Sequence, residues 1–181
     1  MTTTIQTRGL VFERVGEPLR DQELVLDQPG PGEVLVRLLA SGICHSDLHT
    51  LDGDWEAADL LVLGHEGAGI VEAVGPGVDA PAVGDLVVLS WLAPCHLCVR
   101  CQAGQPWLCT RTRALEHRLP DGTTRLRDAD GRDVFPYLGI GTFLERTVVP
   151  ASAAITVPPE TSPASAAPMI RESPTPPSPT T

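Results

Sequence analysis

The sequence predicts an all-β barrel or sandwich with long functional loops and an added thiol-rich lobe. Three observations predict it: short runs rich in Val, Leu and Ile punctuated by Gly and Pro, helix signals that are few and short, and four cysteines crowded between Cys95 and Cys109. In chain order the expected strands are residues 9–12, 23–26, 33–39, 69–74, 85–90, 144–149 and 154–157. Turn chemistry separates them: Pro29-Gly30-Pro31-Gly32, Gly75-Pro76-Gly77 and Val83-Gly84-Asp85. The best helix signal is one turn at residues 46–50, with Ser46 as its cap. Residues 111–132 are polar and highly charged, with turn signals at Asp121-Gly122 and Asp130-Gly131, and read as a long surface excursion. One domain over residues 1–160 is expected, followed by a Pro-, Ser- and Thr-rich tail over 161–181 that can neither build a ladder nor bury a face and is expected to be disordered.

Composition narrows the function. The 181 residues are 42% hydrophobic, enough for a single core. No apolar run approaches the roughly 20 residues that span a bilayer, and the N-terminus lacks the basic and apolar regions of a secretory signal, so no membrane is expected and a cytoplasmic location is. The formal charge is −10 and every cationic side chain is Arg, which argues against nucleic acid as a partner. Five cysteines, an odd number without an export signal, favour reduced thiols and metal over a disulfide framework.

Cys95, Cys98, Cys101 and Cys109 are spaced by three, three and eight residues. Thiolates this close in sequence can converge on one tetrahedral ion, and a four-cysteine set is the closed, structural kind of zinc site. An iron–sulfur cluster fits less well, because bacterial-type ligation places three residues and then Cys-Pro after the third Cys. Disulfides, or a chance burial of four thiols, would also produce such a cluster. A second constellation lies upstream, in Gly42-Ile43-Cys44-His45-Ser46-Asp47-Leu48-His49 and Leu63-Gly64-His65-Glu66-Gly67-Ala68-Gly69-Ile70-Val71. Cys44, His65 and Glu66 are ligand types that an open zinc site needs, though a buried Cys and a satisfied core His account equally well for the pattern alone.

An ordered set of segments carries a resemblance: 42–47, 64–71, Val74-Gly75-Pro76-Gly77-Val78, Val83-Gly84-Asp85-Leu86-Val87, the four-cysteine lobe, and Gly139-Ile140-Gly141-Thr142-Phe143. Over about residues 8–167 the chain resembles the catalytic domain of the zinc-dependent, medium-chain alcohol dehydrogenases. That resemblance implies a GroES-like, partly open β-barrel and two zinc positions. Cys44 and His65 match catalytic-zinc ligands, Glu66 the acidic residue that can approach the metal, and Asp47 the carboxylate that orients the ligand histidine. Ser46 matches the hydroxyl touching the substrate oxygen and His49 the outer histidine that passes its proton to solvent. His45 matches a position that contacts the pyrophosphate of NAD(P). Trp55, Trp91 and Phe143 match residues lining the substrate cleft, where a small primary alcohol or aldehyde would bind.

Two family features are missing. After Ser165-Ala166-Ala167, where a third zinc-ligating Cys belongs, the sequence reads Pro168-Met169-Ile170-Arg171 and puts a cation near the thiolate's place. No dinucleotide fingerprint follows, and Gly139-Ile140-Gly141 is no substitute, because Leu144 stands where its third glycine belongs. We therefore expect a chain cut off before its nucleotide-binding half, through a frameshift after about Ala167, and inactive alone. A non-catalytic zinc-binding interaction module is the competing expectation, with an exposed interdomain face prone to homo-oligomerise.

Overall fold

The computed structural model describes residues 4–57 and 60–169. Among the described residues, ten strands form two units. The first is a closed barrel ordered β1 (Thr4–Phe12), β2 (Arg20–Asp27), β7 (Leu126–Arg127), β8 (Asp133–Pro136) and β4 (Leu61–Val62). The second is a five-stranded sheet ordered β10 (Ala154–Thr156), β6 (Leu86–Leu89), β5 (Gly67–Val74), β3 (Glu33–Ser41) and β9 (Arg146–Pro150). The mainly β expectation holds, with the barrel rather than a sandwich realised.

Strand β3 shows why sequence and layer agree. It is paired on both edges, to β5 and to β9, and its first four residues are all buried. Side chains on a strand alternate between faces. Val34 and Val36 accordingly enter the core of the five-stranded sheet with Val71, Val87 and Leu89, while Leu35 joins Val11, Leu24, Leu26 and Leu126 in the barrel core. A strand buried on both faces reads as a continuous apolar run, which is how Val34, Leu35 and Val36 read.

The excursion expected at residues 111–132 is corrected by the structure. Leu126–Arg127 pairs with β2 and with β8, β8 pairs parallel to β4, and β4 pairs with β1, so this segment closes the barrel. Ala114, Leu119 and Leu126 are buried. Its charges are absorbed by pairing: Glu33, almost wholly buried on β3, receives Arg125 Nε at 3.0 Å and Nη2 at 2.8 Å, and Arg125 also binds Asp121 at 2.7 Å.

The helix starts earlier than expected, as α1 (His45–Asp52), and Ser46 does not cap it. Its N-cap is Cys44, and Asp47 in the first turn accepts the Cys44 N–H at 2.9 Å. Residues assigned to a disordered tail also carry structure. Pro163–Ala166 form a helical turn, α3, with Pro at its start, followed by a 3₁₀ turn at Ala167–Met169. Ala166 and Ala167 bury against Ala68 and Val88. Small apolar residues suffice there because the sheet surface approaches closely; residues 170–181, Arg171 included, lie outside the described residues.

Candidate metal centres and the cleft

The four-cysteine lobe has little secondary structure, only α2 (Val99–Gln102) and a 3₁₀ turn at Pro106–Leu108. What organises it is sulfur. One ligand atom from each of Cys95, Cys98, Cys101 and Cys109 falls within 4.8 Å of the others, with Cys98–Cys101 at 3.5 Å and Cys98–Cys109 at 4.0 Å. Zn–S bonds of about 2.3 Å in a tetrahedron give S···S edges of about 3.8 Å, so the thiols already have the spacing of a closed zinc site. Backbone N–H groups point at the sulfurs, from Cys95 to Cys109 and from Cys98 to Cys95, each at 3.3 Å. Such donors stabilise thiolate charge. Hydrogen bonds from the backbone of Cys101 and Thr110 pull the Cys98 thiol down to about 5. Desolvation and then the neighbouring thiols Cys98 and Cys109 push Cys101 up to about 12. Four sulfurs so close cannot all ionise without a cation among them. The donor set therefore fits zinc, and all five cysteines of the chain are free thiols.

The second group is assembled from the loop before α1 and the residues entering β5. Ligand atoms of Cys44, His65 and Glu66 lie within 4.8 Å of one another, and His65 and Glu66 are buried. Glycine makes this packing possible. A Cβ on Gly42 would collide with the Glu66 carboxylate, so the missing side chain is the space that Glu66 occupies. Gly64 has φ +85° and is pressed against Thr142 and Phe143, which turns the chain so that His65 and Glu66 face inward.

Asp47, 1% exposed, ties the two segments together. Its Oδ2 accepts Cys44 N–H and its Oδ1 accepts Gly64 N–H, both at 2.9 Å. The same Oδ1 stands 3.6 Å from His65 Nδ1, a buried nitrogen with no hydrogen-bond partner among the described residues. Burial works against the imidazolium of His65, but Asp47 and Cys44 outweigh it and raise the pKa above the usual histidine value. Burial likewise opposes the Cys44 thiolate, yet hydrogen bonds from Ser46 and His65 bring the thiol below its usual range. A thiol and an imidazole that mutually favour the ion pair, beside a buried carboxylate, are a donor set suited to a divalent zinc ion.

These residues open into a cleft of about 770 Å³. Cys44, His45, Ser46, Trp55, His65, Glu66 and Trp91 line it. Ser46 Oγ is 3.6 Å from Cys44 Sγ. His49 stands one layer out, its Nδ1 2.8 Å from Asp54 and its ring against His45 and Trp55. Phe143 does not line the cleft: its backbone is bonded to Leu63 and Leu10, and its ring packs behind Gly64 against the hydrophobic core and borders a separate shallow groove. Sequence reasoning missed His117, Tyr137 and Leu138, which also line the cleft. Tyr137, the single tyrosine, meets His65 at 5.6 Å between ring centroids. No local pattern singles these three out, since they arrive from the barrel-closing segment. Pro168, just beyond α3, also lines the cleft.

With this geometry in place, comparison with known proteins is informative. Residues 30–159 match the family described as "Alcohol dehydrogenase GroES-like domain". The chain is 42% identical over 152 residues to S-(hydroxymethyl)glutathione dehydrogenase of Paracoccus denitrificans, covering 82% of this chain and 40% of that protein. It is 39% identical over 154 residues to the NDMA-dependent alcohol dehydrogenase of Amycolatopsis methanolica, covering 84% and 41%. Among solved structures, an alcohol dehydrogenase zinc-binding domain protein from Burkholderia ambifaria superposes with a TM-score of 0.80 at 37% identity, over 87% of this chain and 43% of that one. Benzyl alcohol dehydrogenase from Acinetobacter calcoaceticus gives 0.72 at 30% identity, over 88% and 43%. The chain thus spans about two fifths of the length of these relatives.

Proposed function

Because this chain belongs to the zinc-dependent alcohol dehydrogenase family, whose GroES-like domain it contains, we propose that it forms the metal- and alcohol-binding half of an alcohol/aldehyde oxidoreductase. The observation that carries the reading is the convergence of Cys44, His65 and Glu66 at the floor of a cleft, separate from the closed four-cysteine group.

In this reading Cys95, Cys98, Cys101 and Cys109 hold a structural zinc, and Cys44, His65 and Glu66 hold a catalytic one. Zinc bound in the cleft supplies a Lewis acid that makes an alcohol oxygen more acidic. Asp47 fixes the two ligand segments and orients His65. The Ser46 hydroxyl, beside Cys44, is the group placed to meet the substrate oxygen, and His49, backed by Asp54, is the outer histidine on the solvent side. Trp55 and Trp91 confine a small primary alcohol or aldehyde. Toward an NAD(P) cofactor, which would supply the hydride-accepting ring, the described residues offer the exposed His45 at the start of α1. These residues by themselves produce no NAD(P)H. A reducing cytoplasmic setting belongs to the reading, since the lobe thiols bind metal as thiolates.

Metal analysis and cobalt substitution test it. About one zinc per chain should survive dialysis and be lost in Cys98→Ser. A second ion, bound more weakly and seen as a cobalt–thiolate band, should disappear in Cys44→Ser and shift its d–d spectrum when a primary alcohol is added. Two tightly held zincs, alcohol-dependent NAD(P)H production by residues 1–181, or a cobalt spectrum indifferent to alcohol would overturn the respective parts of the reading.

A further inference from the structure

Among the titratable side chains that line the cleft, His117 is one that the metal chemistry leaves unused. His117 follows the 3₁₀ turn at Ala114–Glu116 in a left-handed backbone conformation, φ 57°, and its ring forms part of the cleft wall. Its Nδ1 lies 3.1 Å from the backbone nitrogen of Leu138. A backbone N–H can only donate, so Nδ1 is the acceptor and carries no proton; the neutral ring's proton is therefore on Nε2. Leu138 is itself left-handed, φ 50°, so the tautomer is set by a fixed turn rather than by a mobile side chain. The ring is further held against Tyr137, with centroids 5.2 Å apart and planes at 34°, and Tyr137 in turn meets the metal-ligand candidate His65. His117 thus stands one aromatic ring away from the metal position. Burial disfavours its imidazolium, which also would have to give up the bond from Leu138.

We propose that His117 is the specificity-determining hydrogen-bond donor of this cleft, its Nε2–H receiving a neutral acceptor, a carbonyl or amide oxygen, at the far end of an alcohol or aldehyde whose reacting oxygen lies at Cys44, His65 and Glu66. The proposal rests on the cleft being the alcohol site. A volume of about 770 Å³ holds far more than a hydroxymethyl group, so a substrate with a longer remainder has room to reach this wall. Besides Tyr137, which packs against His117, the cleft has apolar lining from Leu115, Leu138 and Trp55. An uncharged donor in such surroundings rewards an uncharged acceptor. A carboxylate tail would be desolvated without a countercharge and would face Glu56 and Glu66, which line the same cleft.

The test is an NMR titration of the zinc-loaded protein with hexan-1-ol, 6-hydroxyhexanamide and 6-hydroxyhexanoate, three probes of one length. Imidazole ¹⁵N shifts should report the Nε2–H tautomer of His117 in the free protein. The amide should bind roughly two- to tenfold more tightly than hexanol, the range of one net hydrogen bond, and move the His117 Nε2–H resonance, with the carboxylate weakest. In His117→Asn, a residue that tolerates the left-handed backbone, the ratio of amide to hexanol affinity should fall to about one. An Nδ1–H tautomer, equal binding of amide and hexanol to the unaltered protein, or a preference that persists in His117→Asn overturns the proposal while leaving the cleft reading intact. If none of the three probes binds, the alcohol-site reading falls and the proposal with it.

Discussion

Replacing Asp47 by Asn separates the metal site from the fold, because this carboxylate serves both. Its two oxygens accept N–H groups from Cys44 and Gly64 at 2.9 Å each, in a position 1% exposed. Asparagine keeps one acceptor oxygen and presents an NH₂ to the other backbone donor. One buried N–H is then unsatisfied, which costs about 1–3 kcal/mol. For a chain of this length that lowers the melting temperature by about 2–12 °C, at roughly 2–4 °C per kcal/mol. Asp47→Ala strips both acceptors and should cost about twice as much. The carboxylate also stands beside His65 Nδ1, and loss of a partner that orients a ligand histidine weakens metal affinity by about 10–100-fold. The assay is a thermal melt alongside competitive cobalt titration with the four-cysteine lobe already saturated with zinc. The lobe should be unaffected. A variant that melts within a degree of the parent and keeps its cobalt affinity within about twofold, against the tenfold minimum expected, would refute the reasoning.

Further outcomes follow from individual contacts. Gly42→Ala places a methyl where the Glu66 carboxylate lies, so it should weaken cobalt binding at Cys44 and His65 while leaving zinc in the lobe, as metal analysis would show. Arg125→Ala leaves Glu33, 4% exposed, without its countercharge; a loss of about 3–5 kcal/mol is expected in urea unfolding, and a loss below about 1 kcal/mol would mean that water reaches Glu33. His117 has a folded-state pKa below its unfolded value of about 6.5, so below that pH the unfolded chain binds more protons and stability falls as pH drops through the folded pKa. His117→Asn should lose that part of the decline, read as urea midpoints at neutral and mildly acidic pH.

The sequence disclosed the strands and sites that are local and missed those that are not. Strands β3, β5 and β6 show as apolar runs because neighbours or a second layer bury them on both faces. Strands β4 and β7 are two residues long, too short for any period, and exist only because the barrel closes over them. Charge concealed the rest: Arg125, Arg127 and Arg132 made residues 111–132 look solvated, whereas each is paired to a carboxylate, two of them across more than ninety positions of sequence. The four-cysteine group was legible for the opposite reason. Metal ligation by side chains a few residues apart needs little from the fold, so Cys95 to Cys109 announce their site by spacing alone.

The error at α1 shows how one pattern can carry two meanings. Ser46 at the head of the expected turn suggests a helix cap, yet the cap is Cys44, and Asp47, three residues on, closes back to the Cys44 N–H as the acidic residue of a capping box does. The same Asp47 takes the Gly64 N–H and faces His65. Helix initiation and ligand alignment are therefore one arrangement: the bond that starts α1 holds Cys44 in an extended conformation with its thiol beside His65 and Glu66. Metal binding at Cys44 should accordingly protect the first turn of α1, so cobalt addition should slow amide hydrogen exchange at Asp47 and Leu48 more than at Leu51 and Asp52. Uniform slowing along α1, or none, would show that the helix start and the metal site are independent.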